Sequence, residues 1–242
     1  MRLTNYNSRQ LTKMKNIIKL TRLERDTLRE VMSMSMDYSS MAISKMVDER
    51  IDVKLASMDL TPLSEVPKKL GGKDVLSTGV YMRIIGDISG TTLLVFPRDS
   101  ALFLADVLGG REVGSTKILS WVDRSALEEL GSIVTTSFLT AMGDFLGIKM
   151  YPSTPVTVFD TADSIVNFVL IGINKDVDFG LVVKMDFKGA KGVITGYFLP
   201  LLYTGSLNVL LNLVDKRIED GSMPVKKHKQ APELLKTLTK KK

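Results

Sequence analysis

A spacing able to support chemistry occurs twice in this chain. Asp26, Glu30 and Ser33 in DTLREVMS stand at offsets 0, +4 and +7, and Ser125, Glu129 and Ser132 in SALEELGS repeat them. On a helix these offsets align three side chains along one face, about one turn apart. Each stripe sets a carboxylate, which attracts cations and accepts hydrogen bonds, beside a hydroxyl that both donates and accepts. A single glutamate on an amphipathic helix is ordinarily just solvated. Its return at the same place in a second copy singles it out. The symmetric expectation is two separate sites, one per helix, presented to another molecule, rather than the paired carboxylates of a glycosidase.

Composition removes most other chemistry. The chain has 242 residues, 44% hydrophobic and 25% charged, enough to bury a sizeable core. It has no cysteine, which excludes disulfides and thiolate sites, and its only histidine, His228, lies in a lysine-rich tail. A Ser-His-Asp triad or a histidine zinc site is therefore not expected. Gly71-Gly72 and Gly109-Gly110 stand in neither a GxGxxG nor a GK[ST] context, so no nucleotide cofactor is expected. Asp160, Asp163, Asp176 and Asp178 lie near strand ends and read as structural turn acids rather than metal ligands. Asp, Lys or Arg interrupts every apolar run, leaving none to span a bilayer, and the basic N-terminus lacks the apolar stretch of a secretory signal. A cytoplasmic protein is the plain reading. Net charge is +6, with much of the lysine excess in VKKHKQAPELLKTLTKKK. That tail has no arginine or interleaved aromatics, so it reads as a solvated terminus rather than a nucleic-acid or lipid-binding surface.

The elements that must position the stripes follow from periodicity and punctuation. A helix is predicted from about Leu23 to Val47, with its methionines as adaptable core filler. Strands are predicted at VKLASMDL, STGVYMRIIGD and GTTLLVFP, the last two joined at a DISG turn, followed by a helix, RDSALFLADVLGG, with a Gly-Gly stop. The order then repeats. A second motif helix, capped by Ser120 or Asp123 and ended by Gly147, precedes strands IKMYPSTPVTVFD, SIVNFVLIGI, FGLVVKMDF and GVITGYFLPLL and a closing helix, YTGSLNVLLNLVDKRI. Trp121 is expected to anchor the second helix on the core. The predicted fold class is α/β: an internal duplication of helix-strand-hairpin-helix units, pseudo-two-fold, sharing a largely antiparallel sheet covered by helices. The halves run about 22–112 and 120–218, after a basic extension, 1–21, and before a basic tail, 219–242, read as disordered.

At LERDTLREV, STGVYMRIIGDISGTTLLVFPRDSALFLADVLGGRE, DRSALEELGSIVTTSFLTAMGDFLGI and TGYFLPLL the chain resembles the CheC-like chemotaxis phosphatases, over about residues 22–214. The resemblance implies one CheC-like domain, 22–218, that removes the phosphoryl group from the aspartyl phosphate of a CheY-type response regulator. The family signature is Asp or Ser, three residues, Glu, two residues, Asn, and a downstream proline. Asp26 and Ser125 match its first position and are implied to bind the partner; Glu30 and Glu129 match the docking glutamate. In the family, the Asn amide orients the attacking water, and Mg²⁺ belongs to the regulator; no cofactor is implied on this chain. Ser33 and Ser132 stand where the asparagines belong, Pro155 matches the proline, and Ala56 stands at its offset in the first half. A serine hydroxyl is one bond shorter than an Asn amide and would fall about 1 Å short of the water, a misplacement that can cost ~100-fold in rate. Ser35, Thr135 and Thr136 are the nearby polar residues that could take over. The alternative is a non-catalytic module that binds CheY, CheD or a flagellar or archaellar switch component.

Overall fold

The computed structural model describes residues 20–173, 177 and 179–222. Most of the basic extension and of the tail, His228, Asp176 and Asp178 lie outside the described residues.

Both motif helices start and stop where the sequence says. Helix α1 (Arg22–Val47) opens with a capping box in which Thr21 and Glu24 exchange backbone and side-chain hydrogen bonds. The remaining elements are β1 (Asp52–Pro62), the short α2 (Val66–Lys69), β2 (Leu76–Gly86), β3 (Gly90–Pro97), α3 (Arg98–Leu108), α4 (Trp121–Leu146), β4 (Met150–Pro152), β5 (Val156–Thr161), α5 (Ala162–Ile173), β6 (Phe179–Gly189), β7 (Gly192–Leu202) and α6 (Thr204–Glu219). Ser120 and Asp123 cap α4 reciprocally, so the two candidate caps act together, and Gly147 ends it at φ 73°.

The seven strands form one sheet, ordered β1-β6-β7-β3-β2-β4, with β5 also on β2, and every pairing is antiparallel. That order is a palindrome of the two halves: β7 meets β3 at the centre, and each half sends its first strand across to the other. β1 pairs β6 of the second half, and β4 and β5 pair β2 of the first. The helices exchange likewise, since α1 packs on α4 and α6, and α4 on α3. Neither half closes a sheet or a helix layer alone.

Alternation along β3 shows how both faces are filled. Leu94 and Phe96 join the large core beneath α1, α3, α4 and α6, while Leu93 and Val95 join a smaller core on the other face. The smaller core is roofed by α2 and α5, and here the sequence reading needs correction. SIVNFVLIGI is a helix, not a strand. Ala162, Ile165, Val166 and Val169 are buried at i, i+3, i+4 and i+7, and Thr161 Oγ1 accepts the Ser164 amide at 3.3 Å as an N-cap. An apolar run rich in Val and Ile reads as a strand, but the chain must cross here from the sheet edge at β5 to β6 beyond the centre, and a helix makes that crossing. IKMYPSTPVTVFD is two strands, because Pro155, with no N–H to donate, falls in the break between β4 and β5.

Candidate functional site

The first stripe lines an open groove. Asp26, Arg29, Glu30, Ser33, Met36 and Asp37 of α1 face Val53, Lys54 and Leu55 of β1 around about 470 Å³. Asp26 is exposed and Glu30 and Ser33 are half-buried. Asp26 pairs at 3.8 Å with the exposed Arg22, a contact that water screens heavily. Two serines further along α1 fasten it to β1: Ser40 Oγ accepts the Val53 amide at 2.7 Å, and Ser44 Oγ accepts the Ile51 amide at 2.8 Å. They fix the height of the stripe over the strand. Sequence reasoning passed over them; their signal is a serine pair at i, i+4 on the strand-facing side of a helix.

The second stripe has the same place in the second half and a tighter setting. Ser125 is exposed, Glu129 half-buried, and Ser132 only 9% exposed. Glu128 fastens α4 to β5 by accepting the Thr157 hydroxyl at 2.7 Å. A Cβ on Gly131 would lie 2.6 Å from Val80 Cγ1, so the absent side chain permits the close approach of α4 to β2 beside Ser132. The position of the family proline is a strand irregularity in both halves: the β4–β5 break at Pro155, and a register shift in β1 between Leu55 and Ser57, around Ala56.

The two stripes do not converge. One lies beside β1 and the other beside β4 and β5, at opposite edges of the sheet. Of the polar stand-ins, Ser35 is fully buried and donates to the Met32 carbonyl, and Thr135 is buried against Thr92 at 3.1 Å, so neither reaches a groove. Thr136 is 4% exposed. Trp121 does not anchor its helix on the core: it is 77% exposed, and the capping box fixes the helix start instead. Asp160 accepts from the Thr161 amide and Asp163 from the Asn167 side chain, and among the described residues no acidic cluster could hold a metal ion.

Burial pushes the Glu129 carboxyl above the usual glutamate range. The folded state therefore holds this proton more tightly than the unfolded chain, and the resulting stability, full at acid pH, is lost as pH rises through the raised value. Urea unfolding at a series of pH values will show Glu129→Gln removing that decline and equalling or exceeding the native stability at neutral pH.

The linker between the halves holds a network that the sequence reading missed. Asp106, fully buried at the end of α3, accepts from Gly114 N at 2.7 Å, Ser115 Oγ at 2.9 Å, and Thr116 N and Oγ1 at 3.1 and 2.5 Å. Arg111 bonds both Asp106 and Asp123, tying the end of α3 to the start of α4. These bonds hold the Asp106 carboxyl well below the usual carboxylate range, outweighing the opposing effect of burial.

The family model described as the CheC-like family matches residues 122–159, the stretch that runs from the second stripe to β5. The chain is also 27% identical over 164 residues to the CheY-P phosphatase CheC of Bacillus subtilis, covering 65% of this chain and 77% of that protein. The chain is similar to the CheC-like proteins. The flagellar motor switch phosphatase FliY of Bacillus subtilis is 24% identical over 186 residues, 76% of this chain and 47% of that relative's length. The crystal structure of Thermotoga maritima FliY superposes with a TM-score of 0.69 at 17% identity, covering 82% of this chain and 98% of that one, which establishes the shared fold. Among the described residues no helix is long and apolar enough to cross a membrane.

Proposed function

We propose that this CheC-like chain docks a phosphorylated CheY-type receiver and accelerates hydrolysis of its aspartyl phosphate. The observation that carries the reading is the first groove, where Asp26, Glu30 and Ser33 line one open surface on a helix fastened to its neighbouring strand. The Bacillus subtilis relative, a CheY-P phosphatase by name, supplies the chemistry to which such a surface fits. Glu30 and Glu129 accept a cationic side chain of the receiver and set its register. The Ser33 and Ser132 hydroxyls hydrogen-bond the attacking water, accepting from it or donating to it. Hydrolysis then splits the P–O bond of the aspartyl phosphate, returning the receiver's carboxylate and inorganic phosphate. The metal ion of the reaction belongs to the receiver, and this chain contributes position and electrostatics.

Glu30→Ala together with Glu129→Ala should weaken binding of phosphorylated CheY by about tenfold or more, since a close interfacial charge pair is lost at each site. Anisotropy titration of labelled receiver checks this. Affinity that survives both substitutions would remove the glutamates from the docking surface.

A further inference from the structure

A second groove, of about 320 Å³, shares no lining residue with the first stripe's groove. It runs between the start of β2, the linker before α4 and the outer edge of β5. Its walls present large apolar side chains to solvent: Ile118 is 84% exposed, Leu76 55% and Phe159 39%. Clustered exposure of this kind on a folded surface marks a contact region. Three cations border the same space, Arg98, Lys117 and Arg124, against one lining acid, Asp160.

The cations are only partly committed. Arg98 pairs weakly with the exposed Asp99 at 3.7 Å. Lys117 donates to the Gly114 carbonyl at 2.7 Å, and Arg124 lies 4.7 Å over the Phe159 ring. Neither Lys117 nor Arg124 pairs with a carboxylate among the described residues. The Arg124–Phe159 stack leaves the edges of the guanidinium available to an incoming carboxylate while holding the ring as part of the groove wall. The base is firm, because the Asp106–Arg111–Asp123 network anchors the linker just before Lys117 and Ile118.

We propose that this groove docks an acidic amphipathic segment of a protein partner. Its apolar side chains cover Ile118, Leu76 and Phe159, and its Asp or Glu residues meet Lys117 and Arg124. The charge balance of the groove selects an acidic occupant over a basic one, and the exposed apolar area selects a peptide over a small anion. The groove is separate from the first stripe, and its Arg124 adjoins Ser125 of the second.

The test uses the full chain and a short fluorescein-labelled peptide composed of Leu, Phe, Asp and Glu, with a control in which Lys replaces every acid. The acidic peptide binds and the basic control does not. Lys117→Glu with Arg124→Glu weakens binding by about tenfold or more and flattens its salt dependence. Ile118→Ser weakens binding while keeping the salt dependence. All of these side chains are on the surface, and unchanged thermal melts show that the variants fold. Equal binding of the two peptides, affinity untouched by the substitutions, or binding of phosphatidylserine vesicles with no binding of the acidic peptide would each overturn the proposal.

Discussion

Ser33→Asn together with Ser132→Asn will raise the rate of phosphoryl loss from phosphorylated CheY by about 100-fold over the native chain. Each substitution adds the missing reach, about 1 Å, and replaces a hydroxyl with an amide whose two ends can hold a water and a phosphoryl oxygen together, and misplacement on this scale can cost ~100-fold in rate. The two sites should not share the gain equally. Ser33 is half-buried and lines an open groove, so an asparagine there extends into free space. Ser132 is 9% exposed, beside the tight approach of Gly131 to Val80, and a longer side chain must displace its surroundings. Ser33→Asn alone is therefore expected to supply most of the increase, even though the second half keeps the family proline at Pro155. Single-turnover decay of phosphorylated receiver, at matched occupancy, measures each variant. A double variant that binds the receiver normally and leaves the rate unchanged would mean that the stripes do not face the reacting bond.

Asp106→Ala should cost on the order of 3–5 kcal/mol of stability, the range for removing one partner from a buried charged network. The substitution leaves the Gly114 and Thr116 amides and the Ser115 and Thr116 hydroxyls without their acceptor, and it removes one of the two carboxylates that hold Arg111. For a chain of this size the loss is a fall of roughly 10 °C in melting temperature. The same network predicts a pH signature of the opposite sign to that of Glu129. Because the Asp106 carboxyl is held below its ordinary value, its stability is present above the unfolded-state value and is lost as pH falls below it. Asp106→Ala should flatten that acid-side loss. Since Arg111 also holds Asp123 in the cap of α4, the variant should impair the second stripe more than the first.

The cap of α4 at Ser120 and Asp123 and the glycine stops after α3 and α4 were legible because local rules decide them. The duplication was legible too, and the palindromic strand order follows from it. α5 was misread because a run rich in Val and Ile fits a buried strand and a buried helix equally well, and only the crossing from β5 to β6 decides. The exchange of first strands between halves is a long-range pairing that no local pattern encodes. The stripes were visible as spacing, but their differing exposure was not, since it depends on how closely α4 settles on β2 at Gly131. Nothing in the sequence around Asp106 singles it out. Its role emerges only when residues 114–116 fold back on it.

Action on an aspartyl phosphate through the motif stripes has a direct kinetic signature. The direct measurement is decay of phosphorylated CheY with Mg²⁺ present, alone, with the native chain, and with the Glu30→Ala, Glu129→Ala double variant. Modest acceleration by the native chain, abolished in the double variant, is the expected result. Decay identical in all three conditions, with the native chain still binding the phosphorylated receiver, would contradict it and leave a CheC-like fold that binds without hydrolysing.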